Sequence, residues 1–468
     1  MTTELGLALT TALIAVVSAG LSVLVGIPFG NWLASLSEKN QRIVGSITVV
    51  PFLLPPLLIG LAALPITSDL EINSLNGILL IVLSHAFMNV GFIGRVVAGA
   101  TTEKDQVEAA RLDGAADKQI VNLIQLPQQL PSIASAALLV ALYSATSFGL
   151  VLLIGAGSVD TLETEIAIAA LQQLDLQRAG LLAILQTALT VVFFLAARRF
   201  PNAGFQLDQV WKSSLQSTPI QKLAGFGYLA TVVFALFQVV LRAVEHPLFL
   251  GNFFNLANRG TRSLLNISVI EAAANSLRNM VVVLAISMVV AFWLAGRKRG
   301  SLLVLLPVGI SPVVLGLGAL VLSGYLPRAV SSSWLVVPVV QSVIAIALAY
   351  QILRPARLSF DQELLDAASL DGAGRWSRLV RVELPLLRKP LGVATAFVGM
   401  SSLGEFGAAS FLAFGSQETL PIVMFRLASR PGSENYGMAM AVGVIYILLT
   451  AWIVWLSSRP SRIQRQAD

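Results

Sequence analysis

Long apolar runs separated by short polar blocks fill almost the whole chain. Eleven runs are long enough to cross a bilayer as helices: about 5–34, 44–65, 77–100, 132–155, 179–197, 223–244, 270–295, 301–323, 334–353, 391–414 and 436–457. A helical crossing takes about 20 apolar residues. The runs are continuous rather than alternating, which argues against a membrane β-barrel. The pattern predicts an all-α polytopic membrane protein with about 11 transmembrane helices. The first run follows neither a basic segment nor a small-residue cleavage site, so it reads as a retained helix and not a signal peptide.

Composition agrees. Of the 468 residues, 56% are hydrophobic and only 12% charged, with a mean hydropathy of +0.79. Soluble domains carry about 25% charged residues, so a soluble fold is excluded. The chain has no cysteine, which removes disulfides and thiolate metal sites. No basic patch is interleaved with aromatics, so a nucleic-acid partner is not expected. The net charge of +6 matters through its placement. With the N-terminus outside, 23 of the 31 basic residues fall in segments facing the cytoplasm. The positive-inside rule therefore predicts a multi-pass plasma or inner membrane protein with an outside N-terminus and a cytoplasmic C-terminus.

Two of the polar blocks are copies. Glu108–Ala115 and Asp366–Ala373 share six of eight residues at an offset of 258. The offset continues from Ser147-Phe148-Gly149 to Glu405-Phe406-Gly407, and from Thr161-Leu162 to Thr419-Leu420. Upstream it becomes 256, relating Pro51, Pro56 and Gly60 to Pro307, Pro312 and Gly316. This is a repeat of about five spans. A copy with five crossings ends on the side opposite its start, so a second copy in the same orientation needs one more crossing. The run near 223–244 supplies it, after the polar connector Arg198–Gln221. The expected architecture is two parallel five-helix repeats related by an axis along the membrane normal. The expected divisions are a first repeat over 1–200, a connector and linking helix over 201–265, and a second repeat over 266–468. The copied polar loops occupy about 102–131 and 354–390.

Each block reads as a short helix, a glycine bend and a second amphipathic segment that stops at proline. In the first, Leu112, Ile120, Leu123 and Ile124 are expected to face the protein, and Glu108, Arg111 and Lys118 the cytosol. Pro55-Pro56 and Pro312 are expected to kink the second and eighth spans. The pattern E/D-A-A-x3-G-x9-I/V-x-L-P fits both copies: Glu108, Ala109, Ala110, Gly114, Ile124, Leu126 and Pro127, then Asp366, Ala367, Ala368, Gly372, Val382, Leu384 and Pro385. It resembles the "EAA" signature of ABC-importer permeases, departing by Asp366 for Glu and Val382 for Ile. Glu271-Ala272-Ala273 is a decoy, because Leu277 replaces the glycine and no Leu-Pro follows.

The resemblance implies that each block couples to a separate ATPase, so the expected partners are two ATPase copies, an extracytoplasmic solute-binding protein and membrane lipid. A fused chain with two motifs, together with the stretch Ser401–Gly432, is similar to the thiamine and ferric-iron permeases. Those often have six spans per half, and five in the first half is a departure. The resemblance implies a thiamine or related small-cation substrate, with ferric iron as the alternative. An ion-driven transporter and a membrane scaffold are the competing readings from other classes.

The chain itself carries no visible engine. Lys212 is the only lysine followed by Ser or Thr, and no glycine-rich loop precedes it. No cofactor is therefore expected on this chain, and ATP and Mg belong on the partner. With only His85 and His246, neither a metal site nor a catalytic centre is predicted, and the chain is expected to be a non-catalytic subunit. Polar groups inside spans are functional candidates by default, which singles out Glu405, His85 and Asn89 for the substrate pathway. Arg375, Arg378 and Arg381 follow the second motif and could meet acidic ATPase surface, although orientation alone predicts basic residues there.

Overall fold

The structure, a computed structural model, describes residues 3–68, 73–100, 104–155, 157–200, 217–248, 250–297, 302–359, 367–430 and 432–457. Asp366, Lys212, Lys298, Arg299, residues 201–216 of the connector and the tail arginines Arg459, Arg462 and Arg465 lie outside these residues. Among the described residues there is no strand, and eight helices are long and apolar enough to cross a membrane. They are Glu4–Ser35, Ser74–Gly99, Asp117–Ala145, Leu176–Ala197, Pro219–Val244, Val269–Ala295, Val336–Leu358 and Ser433–Trp455. A ninth span is formed if Glu38–Leu53 and Pro56–Pro65 are taken together across their 91° bend.

The bend falls at Pro55-Pro56, where proline removes a backbone donor and crowds the preceding turn. The matching run at 301–323 is broken in the same place. A helix Leu302–Leu305 and a 3-10 turn Leu306–Gly309 lead into the helix Pro312–Ser323, capped by Ser311 Oγ accepting from Val314 N at 3.1 Å. The runs 132–155 and 391–414 are also divided. The first ends as a helix at Ala145 and resumes as Gly149–Gly155; the second ends at Leu403 and resumes as Gly407–Leu412. Both interruptions fall at equivalent positions, so the two halves repeat in their breaks as well as in their helices.

The copied breaks pack alike. A Cβ on Gly60 would sit 3.3 Å from Leu150 Cα, and one on Gly316 would sit 2.8 Å from Ala408 Cα. The bent segment of each half thus presses its glycine onto the short helix after that half's interruption, tightly at Gly60 and at Gly316 too closely for a Cβ without movement. Each bent segment also reaches the other half. Tyr436 Oη donates to Leu61 O at 3.1 Å, and in exchange Thr190 Oγ1 donates to Gly309 O. Such reciprocal contact is what a two-fold between parallel repeats produces. Pro219–Val244 packs along Glu4–Ser35 and Ser433–Ser457, with Tyr228 Oη donating to Phe87 O at 3.0 Å. Elsewhere along it Phe234 and Phe237 are exposed, as on a helix facing acyl chains.

Candidate functional site

The two motif loops fold into superimposable turns. In the first, helix Lys104–Leu112 ends with Gly114 N donating to Arg111 O (3.0 Å) and Ala115 N donating to Ala110 O (3.0 Å). In the second, Gly372 N donates to Ser369 O (3.1 Å) and Ala373 N donates to Ala368 O (3.0 Å). This pair of bonds is the Schellman closure, which needs a left-handed residue at its corner. Gly114 has φ +82° and Gly372 φ +80°, and a Cβ on either would meet nothing within 4 Å. Backbone geometry, not crowding, therefore demands glycine. Ala110 and Ala368 supply the carbonyl for one closing bond of each turn, and Arg111 and Ser369 the carbonyl for the other.

Beyond the turn the loops correct the sequence expectation twice. Ile120 is buried as expected, but Leu112 is 90% exposed and Leu123 is 73% exposed. Leu112 is the last helical residue before the glycine corner and projects off the molecule, as does its equivalent Leu370, 88% exposed. Leu123 lies in a π-turn, Val121–Gln125, whose extra residue rotates it away from the face of Ile120. The chain also does not stop at proline. Leu126 N donates to Val121 O, and the helix runs through Pro127 and Pro131 to Ala145. The wide turn absorbs a ring that would clash with an ordinary α-turn. The second motif repeats this: Leu379–Glu383 is a π-turn, Leu384 N donates to Leu379 O, and Pro385 follows.

What anchors the two π-turns differs. In the first half Gln125 Nε2 and Gln129 Nε2 donate to Asn31 Oδ1, at 2.9 and 3.2 Å. In the second, buried Glu383 pairs with Arg357, and Arg378 Nε lies 3.5 Å from Glu383 Oε1.

The residues singled out within spans do not meet one another through their hydrogen bonds, apart from a backbone link between His85 and Asn89. Both are buried in the first half. His85 Nδ1 lies 3.4 Å from Ser18 Oγ, and Asn89 Nδ2 donates to His85 O at 2.7 Å. Glu405 is not mid-helix but at the interruption, where it caps Gly407–Leu412. Its Oε1 accepts from Ala408 N (2.7 Å), and its Oε2 from Ala409 N (3.1 Å) and Gln341 Nε2 (3.1 Å). Ser402 Oγ donates to Gln341 Oε1 at 3.0 Å, and the group borders a small cavity with Pro312, Leu315 and Val340.

The residue beside Glu405 has a more telling position. Phe406 stacks on its repeat equivalent Phe148, with ring centroids 5.2 Å apart and planes 16° apart. Equivalent residues of two halves can touch only at the axis relating them, so this pair marks the centre of the molecule. Both rings are buried. The offset of 258 pairs them in the sequence, although nothing there says that they touch. Two further acids escape sequence reasoning. Glu163 is buried and accepts from Gln186 Nε2 at 2.6 Å, and buried Glu418 pairs with Arg426 at 2.9 Å.

A helical membrane protein built from two parallel copies, each with a glycine turn between spans and meeting at a central axis, has the organisation of a transport permease. The chain belongs to the family of binding-protein-dependent transport system inner membrane components, which matches it twice, over residues 26–202 and 280–459. It is an ABC-importer permease and a multi-pass inner membrane protein. It is 26% identical over 470 residues to the thiamine transport system permease protein ThiP of Brucella abortus, covering 93% of this chain and 84% of that protein. Against ThiP of Haemophilus influenzae it is 25% identical over 409 residues, 81% of this chain and 71% of the relative. The molybdenum transport system permease protein ModB of Escherichia coli is 31% identical over 133 residues, 27% of this chain and 58% of ModB.

Proposed function

We propose that this chain forms the membrane pathway of an ATP-driven thiamine importer, gripped by two separate ATPase subunits at its two glycine turns. One observation carries the reading: the motif copies hold the same left-handed corner and each projects an exposed leucine at the matching position beside it, Leu112 and Leu370. A solvent-exposed leucine on a rigid turn suits burial in a partner's groove, and the matched pair suits two copies of one partner. In this reading Glu108, Ala109, Ala110, Gly114, Leu126 and Pro127 form one docking segment, and Asp366, Ala367, Ala368, Gly372, Leu384 and Pro385 the other. Both lie on the cytoplasmic side, as does the C-terminus. ATP and Mg are held by the ATPases, and the solute arrives on an extracytoplasmic binding protein.

The pathway follows the axis between the halves and is closed by Phe148 on Phe406. Separation of the halves parts the rings, and their faces suit a flat aromatic cation in transit. Glu405 positions Phe406 by capping its helix, while His85 and Asn89 contribute through packing of the first half. Thiamine is favoured over ferric iron because the relatives spanning most of the chain are thiamine permeases.

The test is uptake of radiolabelled thiamine by proteoliposomes containing the chain with its ATPase and its binding protein. Replacing both Gly114 and Gly372 by Val is expected to abolish uptake while ATP hydrolysis continues. Unchanged uptake in that double variant would defeat the coupling role. Thiamine transport by the purified chain alone, driven by an ion gradient, would replace the reading with a secondary transporter.

A further inference from the structure

The second glycine turn is wired into the transmembrane helices by a continuous run of charged contacts. Ser369, one turn before Gly372, accepts from Arg378 Nη1 at 3.3 Å. Arg378 Nε lies 3.5 Å from Glu383 Oε1, and Glu383 Oε2 pairs with Arg357 Nη2. Arg357, on the last turn of Val336–Leu358, crosses to a third element. Its Nη1 donates to Phe292 O at 2.7 Å, and its guanidinium covers the Phe292 ring at 4.3 Å, on the helix Val269–Ala295. Glu383 and Arg357 are 8% and 17% exposed, so the inner pair is shielded, while Arg378, 34% exposed, joins it to the turn from the surface.

The matching positions of the first half carry no charge. The equivalents of Arg378, Glu383 and Arg357 are Ile120, Gln125 and Gly99. Its turn is closed instead by an exposed pair, Arg111 with Asp117 at 3.0 Å, which ends at the loop. Behind it, Gln125 and Gln129 reach Asn31 through neutral amide bonds.

We propose that Arg378, Glu383 and Arg357 form a relay that carries motion of the second glycine turn into Val336–Leu358 and Val269–Ala295, so that the second half does most of the mechanical coupling. This rests on the reading that the glycine turns dock the ATPases. The Glu383–Arg357 pair and the Arg357–Phe292 bond are charge-assisted and shielded, and such bonds resist distortion more strongly than neutral ones; the looser ion pair from Arg378 ties them to the turn, so a displacement of the turn moves all three elements together. The three residues are positioning residues, since none meets solute or nucleotide.

The experiment measures thiamine taken up per ATP hydrolysed by the complete complex in proteoliposomes, alongside the amount of ATPase that co-purifies with the chain. Glu383→Gln and Arg357→Gln are each expected to lower uptake per ATP about tenfold with the ATPase still bound, whereas Gln125→Ala lowers it by about twofold or less. The exchange Glu383→Arg with Arg357→Glu is expected to recover much of the loss, which a steric role would not. Equal losses from the Gln125 and Glu383 variants, or an unchanged ratio in the latter, would overturn the relay. If Glu383→Gln does not accumulate in the membrane, the partly exposed Arg378→Gln decides, with a loss of about fivefold expected and an unchanged ratio overturning the proposal. Uncoupling by the double glycine variant together with normal Glu383 variants removes the relay and leaves the docking reading standing. If the glycine variants are coupled normally, both fall.

Discussion

The two loops that carry the copied motif agree at their tips and disagree at their roots. At the tips the hydrogen bonds, the left-handed glycine and the exposed leucine are the same to within the detail that matters. At the roots one π-turn is held by amides around Asn31 and the other by a carboxylate between two arginines. Under the proposed docking, a surface that fits two copies of one partner constrains both tips alike. The roots meet this chain's own helices, and the side chains those helices offer differ between the halves. The comparison suggests which part of each loop is dictated from outside and which from within.

The widest separation between the halves is expected at the roots. Glu383→Leu leaves the largely shielded Arg357 without its carboxylate, and losing one member of a buried pair costs about 3–5 kcal/mol. Gln125→Leu removes a neutral hydrogen bond and costs about 1 kcal/mol. Unfolding of the two variants in detergent, followed through the seven tryptophans, measures the gap. Replacing Glu383, Arg357 and Arg378 together by apolar residues is expected to recover much of the lost stability without recovering coupling. Equal midpoints for the Glu383 and Gln125 variants would show that the second root is held by packing and not by charge.

A smaller difference is expected at the axis, where the stacked pair looks symmetric but its surroundings are not. Phe406 also meets Phe425, with centroids 5.3 Å apart, and a Cβ on Gly149 would come within 3.0 Å of its Cδ1. Phe406→Ala is therefore expected to destabilise more than Phe148→Ala, by about 0.5–1.5 kcal/mol for the additional aromatic contact. Solute leak through proteoliposomes sharpens the point, because either truncation opens the same closure. Leak from one variant alone would place the closure off the axis.

How much of this is legible in the sequence follows from which forces act locally. Hydrophobic run length reveals the membrane class, and the constant offset between the copies locates both loops. The left-handed role of Gly114 and Gly372 is visible as a bend. Run length cannot tell a whole span from two half-helices, because both are apolar throughout, so 132–155 and 391–414 read as unbroken. Glu405 consequently reads as a mid-span charge, when it caps the helix that resumes after a break. Leu-Pro reads as a stop because proline ends ordinary helices. The π-turn that admits it depends on the spacing of backbone bonds, which no residue type announces. Buried Glu163 and Glu418 stay hidden because their partners, Gln186 and Arg426, are distant or inconspicuous in sequence.

The smallest difference, and the sharpest test of likeness, lies in the glycine turns themselves. With φ near +80° and open space around both Cβ positions, alanine at 114 or 372 meets only the intrinsic penalty of the left-handed region, roughly 1–2 kcal/mol. That penalty does not depend on the root, so it is expected to be equal in the two halves. Hydrogen exchange at Ala115 and Ala373 reports it directly, because each amide makes the bond that closes its turn. Gly114→Ala should speed exchange of the Ala115 amide by about tenfold, and Gly372→Ala should do the same for Ala373, since about 1.4 kcal/mol is a factor of ten. If the ionic root stiffens the second turn as well as linking it to the helices, Ala373 will respond less than Ala115. Equal factors would confine the asymmetry to the roots and leave the tips interchangeable.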